Sequence, residues 1–257
     1  MQNLNAISSS DSLTASYHAT LAQIQDVAER AGRTPDDITL IVVTKTQPIE
    51  AIKHLYKLGH RHFGENRVAE ASTKIDMLLG QLPSNSIPPI WHMIGHIQSR
   101  KARTCASLFT HIHSVDSVKL ANRLSRFSSD HGTTASVLLQ CNVSGEHTKS
   151  GFAATNTATN TFQWSDLASS ISQMAGLPNL NIAGLMTMAP ISNNPETSRP
   201  IFRNLRLLRD QITQHFPQLP MKHLSMGMSA DYKVAIQEGA TMLRIGTSIF
   251  GHRNTKQ

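Results

Sequence analysis

The chain has 257 residues, of which 39% are hydrophobic and 16% charged, and this balance is typical of a soluble globular protein with a sizeable core. No stretch approaches the roughly 20 consecutive apolar residues of a membrane span. The first residues also lack the cationic start and the apolar run of a signal peptide. The sequence therefore predicts a cytoplasmic protein that has no membrane partner.

The formal net charge of +7 raises the question of nucleic acid binding. The basic residues do not cluster, however, beyond one short run at 99–103, and the aromatic content of 5% leaves few side chains for base stacking. A diffuse positive field suits a phosphorylated small molecule equally well. The two cysteines, Cys105 and Cys141, match no metal-binding spacing and no disulfide framework. We expect neither a nucleic-acid partner nor a metal.

Strands and helices alternate along the chain after a polar segment at 1–11. Apolar residues at helical spacing predict helices at 13–31, 49–59, 68–79, 99–106, 118–127, 162–174, 201–212 and 229–238. Short apolar or β-branched runs predict strands at 38–45, 60–65, 90–94, 109–115, 135–143, 180–188, 223–226 and 241–245. The polar stretch at 144–160 is the longest irregular connection.

This alternation indicates the α/β class, with a parallel sheet and the helices outside it. About eight strands favour a closed (β/α)8 TIM barrel over an open sheet. No compositional break divides the chain, so we expect a single domain over 1–257, with 1–11 a flexible tail. Little chain follows the last predicted strand. We therefore expect the helix that precedes the first strand to cover the place where a final helix would lie.

In such a barrel the functional site lies at the C-terminal ends of the strands. Lys45 ends the first predicted strand, which is apolar on both faces, and Pro48 closes that strand. Desolvation at the end of an apolar strand would lower the pKa of the lysine amine, and a neutral amine is what Schiff-base chemistry needs. The alternative for a single such lysine is a side chain that extends from the sheet into water.

Two glycine-containing turns follow the last two predicted strands. Gly227 and Ser229 belong to the first turn, and Gly246 and Thr247 to the second. Unpaired backbone N–H groups at a helix start bind phosphate, and glycine lets the backbone approach the anion. Each turn alone is equally consistent with a helix cap. Their joint position matches the usual phosphate site of phosphate-binding barrels.

Several motifs in this order resemble the pyridoxal phosphate homeostasis protein family, the single-domain relatives of the alanine racemase barrel. The likeness extends from about residue 40 to residue 253. Its motifs are TKTQP at 44–48, FGEN at 63–66, WHMIG at 91–95, NVSGE at 142–146 with KSG at 149–151, GLM at 184–186, and the segments 224–229 and 244–251.

The resemblance implies a bound pyridoxal 5'-phosphate and a role for each matching residue. Lys45 would form the internal aldimine, Arg244 would face the pyridine nitrogen and keep it unprotonated, and Asn66 would lie near the ring. Asn66 taken alone is equally consistent with a turn-forming residue. The matching phosphate-binding positions are Ser225, Gly227, Gly246 and Thr247.

The family pattern also bears on catalysis. Racemases of the parent fold add a β-rich domain and take a catalytic tyrosine from a partner subunit, whereas only three tyrosines occur here, none an obvious acid or base. Where many relatives have Gly-Pro-Leu-Gln this chain has His96 after Gly95, which we interpret as a solvated loop histidine.

We therefore expect a monomeric cofactor-binding protein without substantial turnover, with no catalytic residues, that acts in intracellular vitamin B6 homeostasis and supplies pyridoxal 5'-phosphate to apo-enzymes. The alternatives are a pyridoxal phosphate-dependent amino-acid racemase-like enzyme, a Schiff-base aldolase that needs no cofactor, and a nucleic-acid or regulatory module.

Overall fold

Alternating apolar runs and amphipathic segments form the strands and helices of a computed structural model that describes residues 2–146, 150–155 and 157–251, with no side-chain description for 2–9. The strands are β1 Thr39–Val43, β2 His62–Glu65, β3 Ile90–Met93, β4 His111–Val115, β5 Ala135–Asn142, β6 Phe152–Ala153, β7 Leu180–Met186, β8 His223–Ser225 and β9 Met242–Ile245. The helices are α1 Gln2–Arg30, α2 Ile49–Lys57, α3 Val68–Leu79, α4 Ala102–Leu108, α5 Val118–Asp130, α6 Thr161–Ala175, α7 Arg199–His215, α8 Tyr232–Gln237 and α9 Thr247–Phe250.

Eight of these strands pair in parallel and close on themselves, in the order β1-β2-β3-β4-β5-β7-β8-β9. The first strand and the last strand complete the ring, with Ile41 opposite Arg244 and Val42 opposite Ile245. The fold is therefore the predicted α/β TIM barrel. The two-residue β6 pairs with β5 outside the ring and lies in the stretch that the sequence predicts to be irregular.

The helices lie outside the barrel and cover its strands with one large apolar layer. Helix α1 contacts α8 and the four-residue α9, which confirms that it fills the place of a final helix. This helix begins at Gln2, inside the segment 1–11 that the sequence predicts to be a tail. The flexibility of that segment stays a prediction.

The start of α8 differs from the sequence prediction, which begins this helix at residue 229. The backbone N–H of Met228 donates to Oδ1 of Asp231 at 2.7 Å, and the backbone N–H of Asp231 donates to the carbonyl of Met228 at 3.0 Å. These two bonds close a turn, so the helix begins only at Tyr232. Ser229 is therefore in the turn and outside the helix.

The barrel interior combines a small apolar cluster with buried histidines. The apolar side chains are Ile41, Leu138, Ala183, Met186 and Met242. On one side of the barrel, β2, β3 and β4 contribute histidines that bond one another, including the fully buried His92 and His113. Burial lowers the pKa of both imidazoles well below its usual value, so they are neutral at pH 7.

This burial predicts a specific acid sensitivity. His60, which is 7% exposed, has a pKa lowered by burial to about 4. Between about pH 6.5 and pH 4 the unfolded chain binds protons at His60, His92 and His113, whereas the folded chain does not. Stability is therefore complete above pH 6.5 and falls as the pH drops toward 4, by up to about 1.4 kcal/mol per pH unit for each histidine.

Urea unfolding at pH 7.5, 6.5 and 5.5 measures how steeply the free energy of unfolding falls with pH. We expect His60→Gln to make this dependence less steep, while His131→Gln, which changes an exposed histidine, leaves it unchanged. Equal slopes for wild type and His60→Gln would contradict the prediction.

Candidate functional site

Lys45 lies directly beyond the C-terminal end of β1, in a turn that the last strand adjoins. It is partly buried and lines a pocket of about 40 Å³ together with Val43, Gly246 and Thr247. A Cβ atom on Gly246 would lie 3.2 Å from the carbonyl oxygen of Val43, so glycine lets the end of β9 approach β1 closely. The structure thus brings together three residues that the sequence predicts to share a site: Lys45, Gly246 and Thr247.

An ion-pair network that involves β2 and α3 stabilises the turn that contains Lys45. Lys74 on α3 donates from Nζ to the carbonyl of Thr44 at 2.7 Å, to Oε1 of Glu65 at 2.8 Å and to Oε1 of Glu70 at 2.6 Å. The backbone N–H of Thr46 donates to Glu70 at 2.5 Å. Thr46 adopts a φ of 63°, a left-handed conformation that costs a non-glycine residue about 1 kcal/mol or more. The network holds this strained turn in place.

Glu65 is the most buried member of that network. Its side chain is fully buried, and it accepts from the hydroxyl of Thr44 at 2.7 Å as well as from Lys74. Burial raises the pKa of this carboxyl, while the two hydrogen bonds act in the opposite direction. Sequence reasoning missed this network, although Glu70 and Lys74 are at the i,i+4 spacing that signals a helical ion pair.

Arg244 on β9 extends into the barrel interior and is 4% exposed. Its Nη1 donates to Oγ of Ser225 at 2.5 Å, and its Nη2 donates to the carbonyl of Thr187 at 2.8 Å. Burial lowers the pKa of the guanidinium to about 10, while the nearby carboxylate of Asp231 raises it. The group is therefore a fixed cation at pH 7.

The hydroxyl of Ser225 is engaged inside the barrel. It is fully buried, accepts from Arg244 and lies 2.8 Å from Nδ1 of His113. Ser229, four residues further on, lies at the rim, where its Oγ accepts from the backbone N–H of Ser248 at 3.2 Å. That contact connects the turn after β8 with the turn after β9. Ser225 as a phosphate contact stays a prediction, and Ser229 is the serine whose hydroxyl lies at the two turns.

Gly227 has a positive φ of 95°, and a Cβ there would lie 2.6 Å from Cβ of Ala235 on α8. Its missing side chain therefore permits close packing of α8, and its carbonyl accepts from the backbone N–H of Arg244 at 3.0 Å. Asp231 closes the same turn and is buried near the guanidinium. Sequence reasoning missed Asp231. The pattern that could have indicated it is an acidic residue just before a helix.

Asn66 follows β2 and lies against the loop after β3. A Cβ on Gly95 would lie 2.2 Å from the carbonyl oxygen of Asn66, so only glycine allows these two loops to meet. The side-chain Oδ1 of Asn66 is buried and has no hydrogen-bond partner among the residues that the structure describes. A buried polar atom of this kind is unfavourable unless a ligand or water satisfies it.

Each of the three tyrosine hydroxyls bonds to, or lies against, another protein group. That of Tyr232 donates to Oε1 of Gln23 at 2.6 Å, that of Tyr56 donates to the carbonyl of Ile87 at 2.7 Å, and that of Tyr17 lies 3.2 Å from Nδ1 of His60.

The side chain of His96 is 62% exposed beside Asp116, as expected for a solvated loop histidine. Of the motif residues, Lys149 lies outside the described part of the chain, as does residue 253 at the end of the likeness. Among the described helices, none combines the length and the apolar character that a membrane crossing requires.

A family model described as the N-terminal domain of alanine racemase matches residues 16–254, which include the barrel, the lysine after its first strand and the arginine in its last. The chain therefore has the alanine racemase type of domain. An alanine racemase from Clostridium difficile has this fold too, with a TM-score of 0.68 at 18% identity over 96% of this chain and 58% of that one. At such identity the likeness shows the fold alone.

Other relatives are more similar. The pyridoxal phosphate homeostasis protein of Aquifex aeolicus is 38% identical over 91% of this chain and 95% of the relative. That of Pseudomonas aeruginosa is 40% identical over 91% and 92%. The structure of PipY from Synechococcus elongatus with pyridoxal phosphate bound has a TM-score of 0.74 at 36% identity, over 89% of this chain and all of that one. The chain therefore belongs to the pyridoxal phosphate homeostasis protein family.

The ion-pair network predicts a large effect of Lys74→Met. The substitution leaves the carboxylate of Glu65 buried without its cation, so we expect the free energy of unfolding to fall by about 3–5 kcal/mol. The double variant Lys74→Met/Glu65→Gln removes both charges and should recover much of that loss. Chemical unfolding of both variants measures this.

Lys53→Met provides the matched control, because Lys53 forms an i,i+3 pair with the largely exposed Glu50 on α2 at 3.9 Å. We expect it to change stability by less than about 1 kcal/mol. A similar small change for Lys74→Met would show that the network does not stabilise the turn.

Proposed function

We propose that this protein binds pyridoxal 5'-phosphate through Lys45 and holds it, in the cytoplasm, for vitamin B6 homeostasis. The pocket that Lys45 shares with Gly246 and Thr247 carries this proposal, because it combines an amine with a turn whose glycine lets the backbone approach an anion. When bound, the cofactor supplies an aldehyde that reacts with a lysine amine to give a Schiff base. The PipY structure with bound pyridoxal phosphate supports the same ligand for this family member.

The described residues fit such a cofactor on three counts. The buried Oδ1 of Asn66, which has no partner among the described residues, is available to a ligand. The backbone of Gly246 has no side chain to keep an anion away. Ser229, at the meeting point of the two turns, offers a hydroxyl to a phosphate, and we propose it as a phosphate contact together with Gly227, Gly246 and Thr247, whereas Ser225 positions Arg244.

Arg244 sets the electronic character of the site. Its guanidinium is fixed by Ser225 and Thr187, and a permanent cation facing the ring nitrogen opposes protonation of that nitrogen by charge repulsion. An unprotonated ring stabilises a carbanion less well than a pyridinium does. Arg244 therefore favours holding the cofactor over using it.

The tyrosines also favour a carrier over the racemase-like alternative. Racemisation needs a second acid or base opposite the lysine, and each such group contributes about 10²–10⁴-fold to the rate. Each tyrosine hydroxyl of this chain already bonds to, or lies against, a group elsewhere in the fold. We therefore propose a protein without substantial turnover that acts as a monomer and supplies apo-enzymes.

Replacement of Lys45 tests the proposal most simply. We expect Lys45→Ala to abolish the absorbance of the lysine-bound cofactor and to leave the fold intact, because the side chain lies beyond the end of the strand. Lys57→Ala, at the exposed end of α2, should bind the cofactor as wild type does. Borohydride reduction followed by peptide mapping identifies the modified lysine. A label on any lysine other than Lys45 would refute the assignment.

Two serine variants separate the phosphate site from the arginine site. Ser229→Ala should weaken binding of pyridoxal 5'-phosphate by roughly tenfold and leave binding of unphosphorylated pyridoxal unchanged, because it removes a hydrogen bond to a charged group. Ser225→Ala should weaken both ligands alike, since it acts on Arg244. Titration of both variants with both ligands measures this. A phosphate-selective loss in Ser225→Ala alone would assign the phosphate to Ser225.

A further inference from the structure

A line of hydrogen-bonded side chains crosses the barrel from its N-terminal face to Arg244. Nδ1 of His62 lies 3.0 Å from Nε2 of His92, and Nδ1 of His92 lies 3.0 Å from Nε2 of His113. Nδ1 of His113 lies 2.8 Å from Oγ of Ser225. His62 begins β2, whereas Ser225 ends β8. We call these four residues the histidine relay.

Each internal member of the relay uses both of its ring nitrogens. His92 and His113 are fully buried, and each has one hydrogen-bond neighbour per nitrogen. A neutral imidazole has one donor and one acceptor. The donors must therefore all point the same way along the relay, which leaves two arrangements of opposite direction.

Arg244 favours one of these two arrangements, because a hydroxyl that already accepts one hydrogen bond is best satisfied when it donates its proton to its other neighbour, Nδ1 of His113. A guanidinium can only donate, so Oγ of Ser225 accepts from Nη1 of Arg244. The hydroxyl proton of Ser225 is then free to donate to Nδ1 of His113. This places the protons of His113, His92 and His62 on their Nε2 atoms, each pointing toward the N-terminal face.

The other end of the relay meets solvent. His62 is partly exposed and lines a cleft of about 620 Å³ on the N-terminal face, between α1 and the starts of β1 and β2. Burial lowers the pKa of His62, and it lowers those of His92 and His113 much further, so His62 is the member that binds a proton first. The other titratable or charged groups around the relay are Tyr17, Asp36, His60, Arg61, His111, Lys222, His223, Asp231 and Arg244.

We propose that the histidine relay couples protonation of His62 to the hydroxyl of Ser225 and so to the position of Arg244. Protonated His62 has N–H on both nitrogens, so its Nδ1 donates and Nε2 of His92 must accept. The Nε2 proton of His92 passes to Nδ1 of His62, the Nε2 proton of His113 passes to Nδ1 of His92, and the hydroxyl proton of Ser225 passes to Nδ1 of His113, while the one proton that the relay takes up restores the hydroxyl of Ser225. His113 now donates to Oγ of Ser225, which accepts from two donors and turns its own proton away. The four residues gain one proton in total, and the positive charge stays on His62.

This reversal makes Ser225 a poorer acceptor for Arg244. The guanidinium then keeps its hydrogen bond to the carbonyl of Thr187, while its hydrogen bond to Oγ of Ser225 becomes weaker. The consequence for a ligand rests on the proposed function: binding of pyridoxal 5'-phosphate should weaken as His62 becomes protonated. His62, His92 and His113 are thus positioning residues, because they act through Ser225 and Arg244.

Nitrogen-15 NMR of the histidine rings tests the relay in the protein without cofactor. As the pH is lowered below 6.5, we expect His92 and His113 to change from the Nε2–H to the Nδ1–H form at the pH where His62 titrates. In His62→Gln the change should be absent. In His111→Gln it should persist, because His111 stacks on His92 with ring centroids 4.8 Å apart and forms no hydrogen bond in the relay. Unchanged tautomers during titration of His62 in the wild-type protein would overturn the proposal.

Cofactor binding gives the second measurement. We expect the dissociation constant of pyridoxal 5'-phosphate to rise by up to about tenfold across the titration of His62 in wild type and in His111→Gln, beyond any change seen in His62→Gln. The same pH dependence in all three proteins would overturn the connection to the site. If the cofactor failed to bind at any pH, the proposed function would fail while the tautomer measurement still decided the relay.

Discussion

The pairing of the first strand with the last is the constraint on which the site depends. β1 and β9 are about 200 residues apart in the chain, yet their register sets Ile41 opposite Arg244 and Val42 opposite Ile245. Because the strands are parallel, their C-terminal ends lie at one edge, and Lys45 meets the turn at Gly246 and Thr247 there. The strained turn at Thr46 remains in place because the pair Lys74–Glu65 and the carboxylate of Glu70 hold it from the helical layer.

Much of this fold was predictable from the sequence because apolar periodicity directly reports burial. The eight strands of the barrel and the cover provided by α1 follow from that pattern. The start of α8 was not predictable, because the side chain of Asp231 forms a turn that competes with the helix. The direction of the Ser225 side chain could not be predicted either. Whether it faces the phosphate turn or the interior depends on the barrel register, which local sequence does not determine. The histidines of the relay lie on three different strands, so no local motif connects them.

The proposed binding and the proposed lack of turnover have one electrostatic origin. A buried and always charged Arg244 fits a cofactor whose ring nitrogen carries no proton, and Lys45 provides an amine on one side only. A racemase of the same fold class would need a second proton-transfer group, whereas the tyrosine hydroxyls here bond to, or lie against, groups in the helical layer and the loops. The interior histidines are held neutral by burial and bonded to one another.

The carrier function is tested most directly by exchange of the α-proton of L- and D-alanine in deuterated water, with the protein loaded to about one cofactor per chain. Proton NMR follows loss of the α-proton signal, and Lys45→Ala is the reference. A carrier should give exchange near the rate of free pyridoxal 5'-phosphate under the same conditions. Rapid exchange in wild type that disappears in Lys45→Ala would show that the protein is an enzyme and would contradict the carrier function.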